Sequence, residues 1–199
     1  MNGNGMMNSN SGMNMNGMNR NSMPMNSNMS GIYSEVKSDP NAAAAPYDLQ
    51  FIDSMTHHHQ GAIAMSKLGL TKSQNDELKK FTQKIIDDQQ SEIAQMKDWR
   101  EKWFSGKSAA LNMEMPGMTD SMKMMAAGGM RNLEAKAGKD FDLLFLEMMI
   151  PHHAGAVTMA NEALHKSGHP EIKTLSGNII KAQEAEIKMM NDWKAKWEK

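Results

Sequence analysis

Cysteine is absent from this chain of 199 residues, which excludes disulfide bonds and thiolate metal sites. Neither sign of charge dominates, because 22 Lys and Arg residues stand against 23 Asp and Glu residues, so no broad basic surface for nucleic acid is expected. No apolar run reaches the roughly 20 residues that a membrane-spanning helix needs. The groups left to carry a function are thioethers, imidazoles and carboxylates.

Methionine is the residue in excess, with 24 copies. Residues 1–31 consist almost entirely of Asn, Gly, Ser and Met, which predicts a disordered tail because little in them can be buried. Residues 32–199 are predicted to form a single helical-bundle domain, with a first repeat at 48–104, a Met-rich connector at 105–140 and a second repeat at 141–198. The two Met-rich segments are either a flexible tail and a linker containing a short helix, or loose thioether sites for Cu(I) or Ag(I).

An internal duplication is the strongest signal in the chain. Residues 48–103 align without a gap with residues 142–197, and the matched positions include all four tryptophans. Two histidines and two methionines recur together: Met55, His58, His59 and Met65 correspond to Met149, His152, His153 and Met159. Thioether and imidazole are ligands for soft or borderline metals, which favours copper.

Each repeat is predicted to be a helical hairpin. In the first repeat Phe51, Met55, His58, Ala62 and Met65 follow steps of four and three residues, which is typical of a helix packed in a bundle. One hairpin buries only one face, so the two copies are expected to pack together. The sequence therefore predicts an all-α fold, a four-helix bundle built from two duplicated hairpins.

Polar side chains lie on the stripes that face inward. Burial of His58, His152 and their neighbours is costly unless they are hydrogen bonded, bind a metal, or do both. Glu92 and Glu186 are candidates to accept hydrogen bonds from histidine N–H groups, which would orient the rings for a metal. Because one helix seldom completes a metal site, Met96, Met190 or a methionine of residues 105–130 is expected to add a ligand.

The segments around the paired histidines, DLQFIDSMTHHHQGAIAM and FDLLFLEMMIPHHAGAVTM, resemble the family called domain of unknown function 305. Members of that family carry an M-x-x-H-H-x-x-A-x-x-M signature on ferritin-like helical bundles. The resemblance covers about 48–104 and 141–198 and implies a copper-binding protein, with silver as a further ion, that supports copper resistance. The ligand candidates it implies are Met55, His58, His59, Met65 and Met96 in the first copy, and Met149, His152, His153, Met159 and Met190 in the second.

The location implied is periplasmic or secreted. Use of thioethers in place of thiols suits an oxidising compartment, where thiolates would oxidise. The expected role is to keep free copper low or to pass it to an export system, without catalysis.

Two alternatives come from other classes: a ferritin-like di-metal oxidase and a purely structural bundle. A di-iron centre needs a Glu-x-x-His pair on two helices, and only Glu162 with His165 matches that spacing, since the first copy has Leu68 and Thr71 there. His57 also lacks a counterpart, because Pro151 stands at the matching position.

Overall fold

The computed structural model of the protein describes residues 36–199, which contain helices and turns but no β-strand. The prediction of an all-α bundle made from two hairpins is confirmed, whereas the predicted tail at 1–31 lies outside the described residues. Four helices are long: α1 (Tyr47–Lys72), α2 (Asp76–Phe104), α5 (Gly138–Lys166) and α6 (Pro170–Trp197). Two are short: α3 (Met118–Met124) and α4 (Met130–Ala135), separated by a π-helical turn at Met125–Gly129.

Both hairpins turn by the same device. The hydroxyl of Ser73 accepts a hydrogen bond from the amide of Asn75 at 3.0 Å, and the hydroxyl of Ser167 accepts one from the amide of His169 at 3.1 Å. The Asn75 side chain then caps the start of α2 by accepting from two backbone amides. Helix α6 instead begins with Pro170, whose fixed φ suits the first turn. The duplicated serines thus end the first helix of each hairpin.

Contacts between the hairpins set their mutual direction. Asp48, at the start of α1, accepts a hydrogen bond from the amide of Gly168 in the turn of the second hairpin at 3.2 Å. Asp142, the corresponding residue of α5, lies beside Ser73 in the turn of the first hairpin, where burial raises the pKa of its carboxyl and the Ser73 hydroxyl opposes the rise. Each first helix therefore begins beside the turn that ends the other, so α1 and α5 run antiparallel. This exchange gives a structural role to an aspartate that both copies retain.

The connector folds onto the bundle. Its helices α3 and α4 pack against α1 and α5 and form a further layer over the contact between those helices. Five of its methionines are buried in the core: Met115, Met118, Met122, Met125 and Met130. The connector thus holds two short helices in a packed layer, where the linker interpretation expected one short helix.

The core is one continuous hydrophobic cluster to which every helix contributes side chains, with Phe51, Phe141 and Phe145 among the largest that are fully buried.

Pro151 lies inside α5, which continues on both sides of it. Because proline has no amide hydrogen, the carbonyl of Glu147 lacks its usual helical donor. Among the helices of residues 36–199, none combines the length and apolar content that crossing a bilayer requires.

Candidate metal centre

Burial is common to all ten predicted ligands. None of their side chains is more than 1% exposed. They occupy the middle of α1 and α5 and the inner faces of α2 and α6, as follows: Met55, His58, His59, Met65, Met96, Met149, His152, His153, Met159 and Met190. The side chains are therefore placed for a site inside the bundle, away from its surface.

Two of the histidines meet across the contact between α1 and α5. The ring centroids of His58 and His152 are 3.8 Å apart, with an angle of 40° between the ring planes. Each ring also lies near the next histidine of its own helix, with centroids 6.3 Å apart for His58 and His59 and 6.5 Å for His152 and His153. The four imidazoles thus form one cluster at the antiparallel crossing.

Glutamates of the second helices orient the outer pair. His59 Nε2 lies 2.7 Å from Glu92 Oε2, and His153 Nε2 lies 2.9 Å from Glu186 Oε2. A carboxylate can only accept, so Nε2 carries the hydrogen and donates it. In the neutral ring the lone pair is then on Nδ1, which is buried without a hydrogen-bond partner in both residues. This is the arrangement that the sequence predicts for the two glutamates.

The inner pair is bonded unequally. His58 Nε2 lies 2.9 Å from the hydroxyl of Ser121 in α3, whereas both ring nitrogens of His152 are buried with no partner among the described residues. The Ser121 hydroxyl lies 2.6 Å from the carbonyl oxygen of Gly117, to which it donates. Since a hydroxyl has one hydrogen, it accepts from His58 Nε2–H, which leaves the lone pair of His58 on Nδ1. Sequence reasoning missed Ser121, because this residue lies outside the repeats.

Burial keeps the inner rings neutral. It holds the pKa of His58 well below 6.5, and positive charge on His152 and the other nearby histidines would lower that pKa further. The pKa of His152 is likewise well below its usual range, first because of burial and then because of its histidine neighbours. A neutral imidazole is the form that binds a metal ion. The cluster therefore offers lone pairs without first losing protons.

Charge on Glu186 is stabilised on the other side of the cluster. Burial raises the pKa of this carboxyl, but hydrogen bonds from His153 and Lys84 outweigh it and leave the pKa below its usual value. The Lys84 Nζ atom of α2 reaches Glu186 Oε1 at 3.1 Å. Glu92 and Glu186 also line a groove between α2 and α6, and no histidine is among the described residues that line it.

Carboxylates and imidazoles alone do not complete a metal site. Within residues 36–199, no three His, Asp or Glu side chains are arranged to hold an ion together. A donor of another kind is required, and thioethers are the abundant choice in this core. Among the predicted sulfur ligands, Met96 Sδ lies 4.0 Å from the hydroxyl of Thr56.

Other polar candidates lie apart from the cluster. His57 is half-buried, and burial lowers its pKa although the charge of Asp39 opposes this. Glu162 pairs with Lys166 at 2.9 Å on the outside of α5, and His165 is exposed. The Glu-x-x-His pair is therefore not directed into the core.

Solved structures with the same architecture share substantial sequence. The chain is 38% identical to CopM solved in the Cu(I)-bound form. The match covers 75% of this chain and 96% of CopM, and the two structures superpose with a TM-score of 0.62. A DUF305 protein from Streptomyces coelicolor is 27% identical, with 79% and 94% covered and a TM-score of 0.67. The predicted resemblance to this group is confirmed.

A curated relative matches over a shorter length. An uncharacterized protein of Acanthamoeba polyphaga mimivirus is 42% identical over 50 residues, which is 25% of this chain and 33% of that protein. The chain therefore spans about a third of that relative. The model of the family described as domain of unknown function (DUF305) matches residues 48–198, which include both histidine pairs. The chain belongs to the DUF305 family.

Proposed function

We propose that this protein binds copper, chiefly Cu(I), in the core of its bundle through the four clustered histidines and nearby methionine sulfurs. The observation that carries the proposal is the state of the imidazoles. Four rings are at most 1% exposed, and each has at least one buried nitrogen without a hydrogen-bond partner in the described part of the chain. An unpaired buried polar group costs about 1–3 kcal/mol, so a ligand that fills these positions recovers a large penalty.

The chemistry of the donors selects the ion. Imidazole and thioether are neutral, polarisable donors, which suit Cu(I) and Ag(I) better than hard cations bound by oxygen. The similarity to CopM, which has been solved with Cu(I), Cu(II) and Ag, supports a copper-binding role and makes Cu(II) and Ag(I) further ions in the proposal. The proposed ligands are Met55, His58, His59, Met65 and Met96, with Met149, His152, His153, Met159 and Met190.

The proposed role is to sequester or carry copper outside the cytoplasm, in the periplasm or as a secreted protein, and so to support copper resistance. A chain without cysteine keeps its ligands in an oxidising compartment, where thiols would be lost. Thioether ligands are neutral, so Cu(I) keeps its charge and exchanges more readily than from thiolates. Release to an export system is the proposed fate, and no chemical reaction of a substrate is proposed.

An anaerobic Cu(I) titration of the full chain against a competing chelator tests the proposal. The comparison is with a variant in which His58, His59, His152 and His153 are all replaced by alanine. The matched control is His165→Ala, which removes an exposed histidine of α5. Helical circular dichroism of each variant shows whether the bundle has formed.

The expected result is tight Cu(I) binding by the wild type and by the control, with loss of the tight sites in the fourfold variant. Unchanged binding in a folded fourfold variant would overturn the proposal and return the histidines to a structural role. If the fourfold variant does not fold, the two pairwise variants, one for each copy, replace it.

A further inference from the structure

The methionine sulfur of Met125 and the unpartnered Nε2 atom of His152 both lie beside Gly61. A Cβ atom on Gly61 would lie 2.9 Å from Met125 Sδ and 3.1 Å from His152 Nε2. The thioether sulfur and the unpartnered imidazole nitrogen thus approach the same point, which only the missing side chain of glycine leaves open. Met125 is 5% exposed and belongs to the connector, outside the duplicated residues.

The connector presents different groups to the two inner histidines. Ser121 lies one helical turn before Met125, and its hydroxyl bonds His58 Nε2 at 2.9 Å. Met125 begins the π-helical turn and lies beside the equivalent histidine of the second copy. One histidine is therefore held by a hydrogen bond, whereas the other has a free nitrogen that lies, like the sulfur of Met125, beside Gly61.

The backbone departs from the α-helix at Met125. The π-helical turn runs through Gly128, whose φ of 81° lies in the left-handed region that favours glycine. Such turns inside helices occur frequently at functional sites. Here the turn separates α3 from α4 at the point where Met125 enters the core.

We propose that Met125 supplies a thioether ligand to the buried centre, paired with Nε2 of His152, and that this pair selects a soft monovalent ion, Cu(I) or Ag(I). The inference rests on the copper-binding function proposed above and adds a ligand from the connector to it. Since His, Asp and Glu do not complete a site in the described residues, the sulfur is the missing donor. The consequence is that the two copies do not form two identical sites. They share one centre, in which His152 and the connector supply ligands.

Methyl NMR of the full chain tests this directly. Protein labelled with 13C at the methionine methyl groups is titrated with one equivalent of Ag(I), and the Met125 signal is assigned by its absence in Met125→Leu. Imidazole signals of His58 and His152 are followed in the same samples. Met122→Leu is the matched control, because Met122 is also buried in the core and lies in α3, three residues before Met125. Met-to-Leu replacement conserves volume, so both variants are expected to fold.

The expected result is a shift of the Met125 methyl signal with the first equivalent of Ag(I). The affinity for Cu(I) should fall by about tenfold or more in Met125→Leu, because loss of a group that only supports a metal ligand already lowers affinity by about that factor. The affinity should be unchanged in Met122→Leu. A second variant, Gly61→Ala, displaces the flexible sulfur and should weaken binding in the same way. Shifts of the histidine signals with an unmoved Met125 would overturn this inference alone. If neither histidines nor Met125 respond, the copper-binding function itself fails and the inference fails with it.

Discussion

The two copies of the hairpin share their polar contacts on one side and differ on the other. Toward α2 and α6 the pattern repeats, since His59 bonds Glu92 as His153 bonds Glu186. Toward the connector it does not, because Ser121 bonds His58 while His152 has no hydrogen-bond partner in residues 36–199. The chain has one connector for two duplicated hairpins, so the connector makes different contacts with each of them. The duplicated motif therefore acquires two environments, and the difference is made by residues that were not duplicated.

The duplicated glycines show the same inequality. At Gly61 the nearest atoms are the tip of Met125 and His152 Nε2, whereas at Gly155 they are the carbonyl oxygen of Gly117 and the side chain of Ser121. The first space is bordered by side-chain atoms only, the nearest being the flexible end of Met125. The second is a crossing of two backbones, where α3 begins against α5.

Acid should have the largest effect, since it acts on both inner histidines at once. Their folded pKa values lie well below the usual 6.5, so the unfolded chain binds more protons as the pH falls. Stability of the metal-free protein is therefore complete above about pH 6.5 and is lost below it, toward the folded pKa values. Urea unfolding followed between pH 7 and pH 4 measures the loss.

Single variants sharpen that comparison. His152→Gln is expected to relieve more of the acid sensitivity than His58→Gln, because neither nitrogen of His152 has a partner to stabilise a proton. An equal effect of the two variants would show that the Ser121 contact does not distinguish the copies.

Adding a methyl group at the duplicated glycines should separate the two copies next. Gly155→Ala forces its Cβ into the backbone of Gly117 and is expected to lower the free energy of unfolding by about 2–3 kcal/mol. Gly61→Ala meets side-chain atoms only, the nearest being the flexible end of Met125, and gains helix propensity of about 0.5–1 kcal/mol, so its net effect should be near zero. Urea unfolding of the metal-free variants measures both. Equal losses would mean that the connector packs alike on both copies.

A recurring ion pair gives the next comparison. Asp53 accepts from Arg100 Nε and from the amide of Ala110, both at 2.8 Å, and so attaches the start of the connector to α1. Its counterpart, Glu147, lies 3.4 Å from Lys194 and is 47% exposed. Asp53→Ala should cost about 2 kcal/mol because it leaves a charged group and an amide without their acceptor, whereas Glu147→Ala should cost less than about 0.5 kcal/mol. Urea unfolding at pH 7 checks both values, and comparable losses would contradict this role of Asp53.

The helical hairpins could be predicted because the same pattern of apolar, histidine and methionine positions occurs in both copies. Steps of three and four residues placed His58 and His152 inside. The matched Glu92 and Glu186 indicated hydrogen bonds to histidine, which the structure makes to His59 and His153. The ion pair of Asp53 with Arg100 was not predicted, although Glu147 and Lys194 keep both signs of charge at the matched positions. The ligand set itself remains a prediction, because burial alone does not identify a ligand.

The connector was harder to predict because only one copy of it exists. Met115, Met118, Met122 and Met125 do follow steps of three and four, which is a helical stripe. Pro116 and the glycines near it indicated breaks instead. Which histidine Ser121 meets depends on how α3 docks across α1 and α5, and no local pattern encodes that long-range packing.

The smallest effect is expected at the two orienting glutamates. The Glu186 side chain is 10% exposed and contacts both His153 and Lys84, whereas that of Glu92 is 17% exposed and bonds His59. Replacement by glutamine keeps an acceptor for the imidazole but removes the charge, so Glu186→Gln should cost about 1 kcal/mol and Glu92→Gln about half of that. The position that matches Lys84 in the second copy is Asn178, which explains why Glu92 has no equivalent lysine. Urea unfolding of both variants, repeated with Lys84→Met in each background, separates the lysine contribution by a double-mutant cycle. If Lys84→Met leaves the difference between the two glutamate variants unchanged, that difference comes from burial and not from the lysine. A larger loss of stability in Glu92→Gln than in Glu186→Gln would contradict the prediction.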